Sequence, residues 1–254
     1  MRVLVCIKRV PAPGARINVT ADGQAVDTAN LGFTMSPHEE CALEAGLALV
    51  EAHGGSVTAL TLGPPEAEEQ LRYAASLGVT GVVLLPIEGP DWDPQRTARA
   101  IATAVGGLES SEGAFDLVVF GNESADSGGF QVGIRVARAL GRPMITGAKG
   151  LAVADGVASV RREIDGVQEV YELSLPAVIG VKEGVNLPRY PTMKGRLASR
   201  KAVVESVEPI GGPGGQTMLR LTSPPETESR LVVLGEGPGA APAVVDVLAE
   251  LGLL

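Results

Sequence analysis

The stretch "DLVVFGNESADSGGFQVGIRVARALG" (residues 116–141) decides the fold. It opens on Asp116 and the apolar run 117–120, and 116–120 reads as one buried strand. A loop of small and polar residues follows, and then a helical pattern over roughly 130–140. Strand, Gly/Ser-rich loop and helix in that order make one βα unit, and the unit recurs toward the N-terminus. Residues 2–8 read as a buried-type strand. Ser36-Pro37 supplies an N-cap and a proline at the first helical position, and Leu43, Leu47 and Val50 continue at helical spacing toward Gly54-Gly55. A strand at 57–62 leads to a helix at 64–77, with acidic residues in its first turn and Gly78 as its stop. A third strand spans 81–86, and Asp93-Pro94 caps a helix running through Val105. Repeated βα units imply an α/β fold, a doubly wound and mostly parallel sheet with right-handed crossovers.

After about Gly141 the rhythm changes to short strands, at 151–154, 157–163, 167–175 and 177–181. Asp165-Gly166 is a strong hairpin signal, because both central residues of a type I′ turn need positive φ. The alternation of Val167, Tyr171, Leu173 and Leu175 suits a half-buried returning strand. These strands read as a β-hairpin extension of the sheet. Pro188 and Pro191 then remove backbone donors and end any ladder, leaving a stiff, exposed loop that carries Arg189 and Tyr190. "IGGPGGQ" (210–216) is a flexible breaker. Beyond it lie candidate strands at 218–221 and 231–234 and an apolar helix at 241–251. The organisation expected is one domain over 1–209 and a linker with a C-terminal arm over 210–254, the arm having little core of its own.

Composition narrows the function. The chain has 254 residues, enough for one large α/β domain, and is 45% hydrophobic but only 3% aromatic, so Ala, Val, Leu and Gly do most of the packing. A net charge of −9 argues against general nucleic-acid binding, which needs an excess of Lys and Arg. Cys6 and Cys41 lie far apart without metal-ligand spacing, which points to a reducing cytosol and a cytoplasmic protein. The opening "MRVLVCIKRVP" is too short for a signal peptide or a span, and no later uncharged run reaches spanning length, so a membrane protein is not expected.

The most suggestive site is the loop after the fourth strand: Gly121, Asn122, Glu123 and Ser124, then Ala125, Asp126, Ser127 and Gly128, then Gly129 and Phe130. Backbone N–H groups and hydroxyls at such a strand-to-helix junction suit a phosphate, and the carboxyl edge of an open parallel sheet is where ligands sit in such folds. No P-loop lysine follows, so triphosphate chemistry is unsupported. An ordinary tight connection reads equally well. "GEGPGA" (235–240) mimics a dinucleotide fingerprint but lacks the third glycine in register and a following strand, so it reads as a turn. Arg161, Arg162, Glu163 and Asp165 read as a solvated hairpin, His38 as a surface residue at a helix start, and His53 as compensation of a helix dipole. With no nucleophile elbow, metal cluster or triad, catalysis by side chains finds no support.

Several motifs, in order, carry a resemblance to a known family. "VLVCIKRVP", "MSPHEECALEA", "ALTLGP", "GNESADSGGFQVG", "VRREIDGVQEVYELSLPAVIGV" and "NLPRYPTMKGRLASRK" resemble the electron transfer flavoprotein beta subunit family over residues 1 to about 207. The resemblance implies a Rossmann-like adenine-nucleotide-binding fold and an obligate alpha subunit holding most of the redox FAD, with AMP buried in the beta subunit. Residues implied to line the nucleotide are Cys6, then Ser36, Pro37, His38 and Glu39, then Leu62 and the 121–132 loop through Gln131 and Val132. Ser36 stands where members often have Asn, and Pro13 where some place an aromatic near the flavin. The loop at about 182–200 is implied to recognise acyl-CoA dehydrogenases and other flavin dehydrogenases, with Val185, where Leu is common, as apolar anchor beside Asn186, Leu187, Pro188, Arg189 and Tyr190. Glu163 matches a carboxylate that meets the mobile flavin domain. The role implied is an electron carrier, not an enzyme, passing electrons from fatty acid oxidation toward a membrane-bound or soluble acceptor. The alternatives left open are a bifurcating-type subunit with a second FAD and an AMP-sensing regulatory protein.

Overall fold

The structure is a computed structural model describing residues 1–225 and 231–254. The chain divides into two units, Met1–Leu221 and Thr222–Leu254.

The first unit is built on a nine-stranded sheet. Its strands are β1 (Arg2–Cys6), β2 (Ser56–Gly63), β3 (Gly81–Pro86), β4 (Leu117–Gly121), β5 (Met144–Ala154), β6 (Val157–Ile164), β7 (Val167–Ser174), β8 (Ala177–Val181) and β9 (Glu205–Ser206). Their spatial order is β7-β6-β5-β8-β4-β1-β2-β3-β9. Pairing is parallel from β5 through β9, and β6 and β7 extend one edge as antiparallel strands. The expected doubly wound sheet with a hairpin extension is therefore present.

Side-chain alternation splits the core into two layers. Val3, Val5, Val57 and Ala59 face α1 (Pro37–His53) and α2 (Glu68–Leu77). Leu4, Leu60, Val83 and Val118 face α3 (Pro94–Glu112) and α4 (Val132–Leu140). Both faces of the central strands are covered, which is why they read as unbroken apolar runs. Burying each such Leu or Val contributes roughly 1.5–3 kcal/mol before entropy is counted.

Several elements differ from the sequence expectation. The helix expected at 64–77 begins with a 3-10 turn, Pro65–Ala67, before α2. α3 runs to Glu112, well past Val105. β5 begins at Met144 rather than at 151: Gly147 (φ 73°) and a register shift opposite β8 interrupt its alternation and hide the strand in sequence. The Asp165-Gly166 turn has φ of 50° and 75°, as a type I′ turn requires. Inside the expected loop lies a short helix, α5 (Met193–Ser199), whose N-cap Thr192 accepts from the Gly195 N–H at 3.0 Å.

The glycine-rich breaker does not hang free. Arg99 donates to the carbonyls of Gly211 (3.2 Å) and Pro213 (3.3 Å), and the Gly215 N–H donates to Asp93 at 3.2 Å. A Cβ on Gly214 would lie 2.0 Å from Asp93 Oδ2, so glycine there permits close packing along α3. Residues 218–221 form no strand; the Leu221 N–H makes one backbone bond to the Gly23 carbonyl (2.8 Å) without a ladder. Residues 226–230, within the expected arm, lie outside the described residues. In the second unit 231–234 are not a strand either, since no partner strand pairs with them among the described residues. The Gly-Pro-Gly-Ala turn (Gly237–Ala240) is a 3-10 turn opening α6 (Ala241–Glu250).

Candidate functional site

The order of the sheet fixes where a ligand can sit. β2 and β3 succeed β1 on one side, whereas the chain returns through α3 to place β4 on the other. The crossovers diverge at β1 and β4, and the crevice beyond their carboxyl ends is the switch point of the fold. A cavity of about 230 Å³ opens there. Cys6 ends β1, Leu62 lies near the end of β2, and Phe120 and Gly121 end β4, so three parallel strands converge on it.

The β4–α4 loop forms one wall. Asn122, Glu123, Ser124, Ser127 and Gly129 line the cavity, followed by Phe130, Gln131 and Val132. Asn122 is fixed by the Gly147 N–H, which donates to its Oδ1 at 2.7 Å. The Ser124 and Ser127 hydroxyls are bonded to each other at 2.8 Å. Of the loop residues singled out in the sequence, Ala125, Asp126 and Gly128 do not line the cavity. Asp126 acts from behind: its Oδ2 accepts from Lys8 Nζ at 2.5 Å, and Lys8 also meets Asp91 at 3.1 Å. Burial would raise the Asp126 carboxyl, but the Lys8 charge and hydrogen bonds from Lys8, Ser124 and the Ser127 N–H hold it below its ordinary value.

The start of α1 forms the floor. Glu39 lines the cavity and its carboxylate accepts from the Ser36 N–H at 3.1 Å, satisfying a donor at the helix start. Burial pushes the Glu39 carboxyl up to about 8, against the opposing pull of the Lys8 and Ser36 N–H groups and the Lys8 charge. It is mainly protonated near neutral pH and so presents an O–H as well as an acceptor. Gly121 makes room for it, since a Cβ there would lie 2.7 Å from Glu39 Cγ. Cys6 is buried, which with the nearby Glu39 pushes its thiol up and leaves it an inert apolar wall. Ser36, Pro37 and His38 stand outside the cavity. Ser36 donates to the Glu123 carbonyl at 3.4 Å, and His38 accepts from the Glu183 N–H at 3.2 Å with its Nε2 3.4 Å from Glu123. His38 is thus a half-buried brace between two loops rather than a surface residue.

The sequence reading missed one wall. Asp91, Trp92, Pro94, Thr97 and Ile101, from the β3–α3 loop and α3, face the β4–α4 loop across the cavity, and Met144 and Thr146 close its far side. The available signal was topological: the loop after the third parallel strand lies on the same edge as Cys6 and Gly121, and it holds the chain's single Trp. The arrangement pairs apolar surface for a flat base (Trp92, Leu62, Ile101, Met144) with N–H groups and hydroxyls for ribose and phosphate.

The segment from Lys182 onward leaves the sheet after β8 and is tied to α1. Asn186 Nδ2 donates to the Cys41 carbonyl at 3.0 Å. Arg189 meets Glu44 through Nε (2.7 Å) and Nη2 (2.9 Å), and Glu51 through Nη2 (3.0 Å), which raises its already high pKa. Arg189 is therefore an internal strut. Val185 is not an exposed anchor: it is half-buried and packs on the α1–α2 core layer, because the Asn186 and Arg189 bonds draw the chain onto α1. The exposed residues are Leu187 (89%) and Tyr190 (87%), followed by Met193 on α5. Pro188 lies half-buried between them. Glu163 is exposed on the hairpin, while its neighbour Arg162 pairs with Glu169 at 2.5 Å and donates to the Tyr171 hydroxyl at 3.0 Å.

A doubly wound, mostly parallel sheet with a cavity at its switch point, walled by a glycine-containing loop and apolar side chains, defines a Rossmann-like α/β protein. Residues 25–210 match the family model described as electron transfer flavoprotein domain. The chain is 33% identical over 264 residues to the electron transfer flavoprotein subunit beta of Mycobacterium tuberculosis (strain ATCC 25618 / H37Rv), covering 98% of each chain. It is 31% identical over 224 residues to that of Bacillus subtilis (strain 168), covering 85% of this chain and 86% of the relative. Protein FixA of Azorhizobium caulinodans is 32% identical over 259 residues, with 96% and 91% covered. The chain belongs to the electron transfer flavoprotein beta subunit family. Among the described residues no helix is long and apolar enough to cross a membrane.

Proposed function

We propose that the chain is the beta subunit of a heterodimeric electron transfer flavoprotein. It holds AMP in the switch-point cavity and supports an FAD carried mainly by an alpha subunit. The heterodimer accepts electrons from flavin dehydrogenases, such as those of fatty acid oxidation, and passes them to a membrane-bound or soluble acceptor. The observation that carries this reading is the cavity itself: apolar walls that suit adenine beside a loop of hydroxyls and backbone N–H groups. Redox chemistry belongs to the flavin when bound, and this chain's residues hold, orient and dock.

Within the cavity, Gly121 and Glu39 set the floor, and Ser124, Ser127 and the N–H groups leading into α4 face the phosphate. Neutral Glu39 avoids placing a second anion against it. Leu187 and Tyr190, braced by the Arg189–Glu44 and Arg189–Glu51 pairs, form the apolar tip that meets a dehydrogenase, and Glu163 offers a weak, reversible charge contact to the flavin domain. Two buried free cysteines suit a reducing cytoplasm.

The test is the nucleotide content of the heterodimer purified after co-expression with its alpha subunit. Equimolar AMP and FAD are expected. FAD in twofold molar ratio without AMP assigns the cavity to a second flavin, and AMP without any flavin assigns the chain to a sensing role.

A further inference from the structure

The Gly-Gly-Pro-Gly-Gly segment, 211–215, is fitted to the start of α3 rather than strung between elements. A Cβ on Gly211 would lie 2.5 Å from Trp92 Cζ3 and 2.6 Å from Arg96 Cγ, and one on Gly215 would lie 2.7 Å from Gln95 Oε1. Only glycine lets the backbone approach the helix this closely. Gly211 is buried in the contact. Asp93 fastens the segment with one carboxylate. Its Oδ1 accepts from the Gln95 N–H (2.8 Å) and the Arg96 N–H (3.1 Å) and caps α3, while its Oδ2 accepts from the Gly215 N–H.

Trp92 stands between this segment and the switch-point cavity. It lines the cavity, the Arg96 guanidinium carbon lies 3.5 Å from its ring centroid, and Gly211 closes on the ring edge at Cζ3 and Cε3. Its own loop gives the ring little support, since residues 88–91, ahead of it, are exposed. A wall fixed in place before a ligand arrives spares the cost of ordering it on binding, and so tightens retention. Neither Asp93 nor any of residues 211–215 lines the cavity, so whatever they do to a ligand passes through the Trp92 wall.

We infer that residues 211–215 are a strap that seats Trp92 as a preformed wall of the cavity and thereby governs how long a nucleotide stays bound, with Asp93 as the positioning residue that fastens the strap. With the strap lifted, the Trp92 ring loses its edge contact and that side of the cavity opens. The inference rests on the nucleotide reading above and adds to it what controls release.

Trp92 is the chain's single tryptophan, so its emission reads the wall directly. Release of radiolabelled AMP from the full-length chain is timed after excess unlabelled AMP is added, and the emission of the same proteins is recorded without nucleotide. Asp93→Asn keeps an oxygen to cap α3 but turns an amide donor toward the Gly215 N–H. Gly214→Ala drives a methyl group against Asp93. Gly106→Ala, on the same helix at a position where a Cβ meets nothing within 4 Å, is the control. Both strap variants should release AMP about tenfold faster or more, with emission moved to longer wavelength, while the control matches wild type. Wild-type release rates in variants whose emission has moved overturn the strap's role in retention while the nucleotide reading stands. Unmoved emission in both variants shows that the strap does not set the ring and overturns the proposal as well. A lower melting temperature with unaltered release is a structural role alone, and it too overturns the proposal. If Gly214→Ala fails to fold, Asp93→Asn decides. Failure of the wild-type chain to bind AMP overturns the nucleotide reading and the retention role with it.

Discussion

Lys8 Nζ lies 2.5 Å from Asp126 Oδ2, joining the segment after β1 to the loop that leads into α4. With Asp91 at 3.1 Å, one ammonium ties together three loops around the switch-point cavity. Burial works against the Lys8 charge, yet its pKa is raised, because the two carboxylates outweigh desolvation.

Lys8→Met should destabilise the protein by about 1–3 kcal/mol, since it leaves Asp91 and Asp126 facing each other without a cation. The Asp126 carboxyl is held below its ordinary 3.8, so its share of stability is present above that value and is lost as pH falls through the lower folded pKa. Chemical denaturation of wild type and variant between neutral pH and pH about 3 checks this: the difference between them should shrink on the acid side. A constant difference removes the ion pair as its cause.

Glu39→Gln should act with the opposite sign. The folded-state pKa of Glu39 is raised from 4.5 to about 8 by burial, so the folded chain keeps a proton that the unfolded chain releases. Stability therefore falls as pH rises from about 4.5 to about 8 and levels off above it. The glutamine variant keeps the acceptor for the Ser36 N–H without the titration, so its stability curve should be flatter over that window and its advantage greatest at the alkaline end. Parallel curves for the two proteins would falsify the assignment.

The sheet and its helices were legible because each central strand is a continuous apolar run and each helix start carries a readable cap, as at Ser36-Pro37 and Asp93-Pro94. β5 was half missed because Gly147 and the bulge beside it break the alternation before 151. The site was legible along the chain but not across it. The 121–132 loop announces itself by composition, whereas Trp92 and Lys8 reach the cavity only through strand order. Val185 was misplaced for the same reason: sequence shows an apolar residue in a loop, and only the Asn186–Cys41 and Arg189–Glu44 bonds show that the chain folds back onto α1.

That correction separates two substitutions on one loop. Leu187→Asp alters a side chain 89% exposed and should leave folding stability within about 0.5 kcal/mol. Val185→Asp places a carboxylate against the α1–α2 core layer and should destabilise by roughly 1–3 kcal/mol. Electron transfer from a partner dehydrogenase should drop sharply in the Leu187 variant with its flavin content and melting temperature retained. Unaltered transfer rates in that variant would remove the loop tip from docking.

The second unit carries apolar side chains that its own fold leaves in solvent. Leu231, Val232 and Val233 are exposed ahead of the 3-10 turn, and α6 has no buried residue although Val244, Val245 and Leu248 lie on it. A single ten-residue helix cannot enclose them, and each such side chain fully covered contributes roughly 1.5–3 kcal/mol. The arm is therefore expected to find its cover on the alpha subunit and to strengthen the heterodimer. The cut belongs after Leu221 and not within the glycine-rich segment, because Arg99, Asp93 and Gly23 hold residues 211–221 to the first unit. Residues 1–221 should melt cooperatively and keep the switch-point cavity, since every residue that lines it precedes the cut. Sedimentation of the shortened chain with its alpha subunit should show a dissociation constant raised about tenfold or more, the loss expected when even one large apolar contact is given up. A constant equal to that of the full-length chain would take the arm out of the interface.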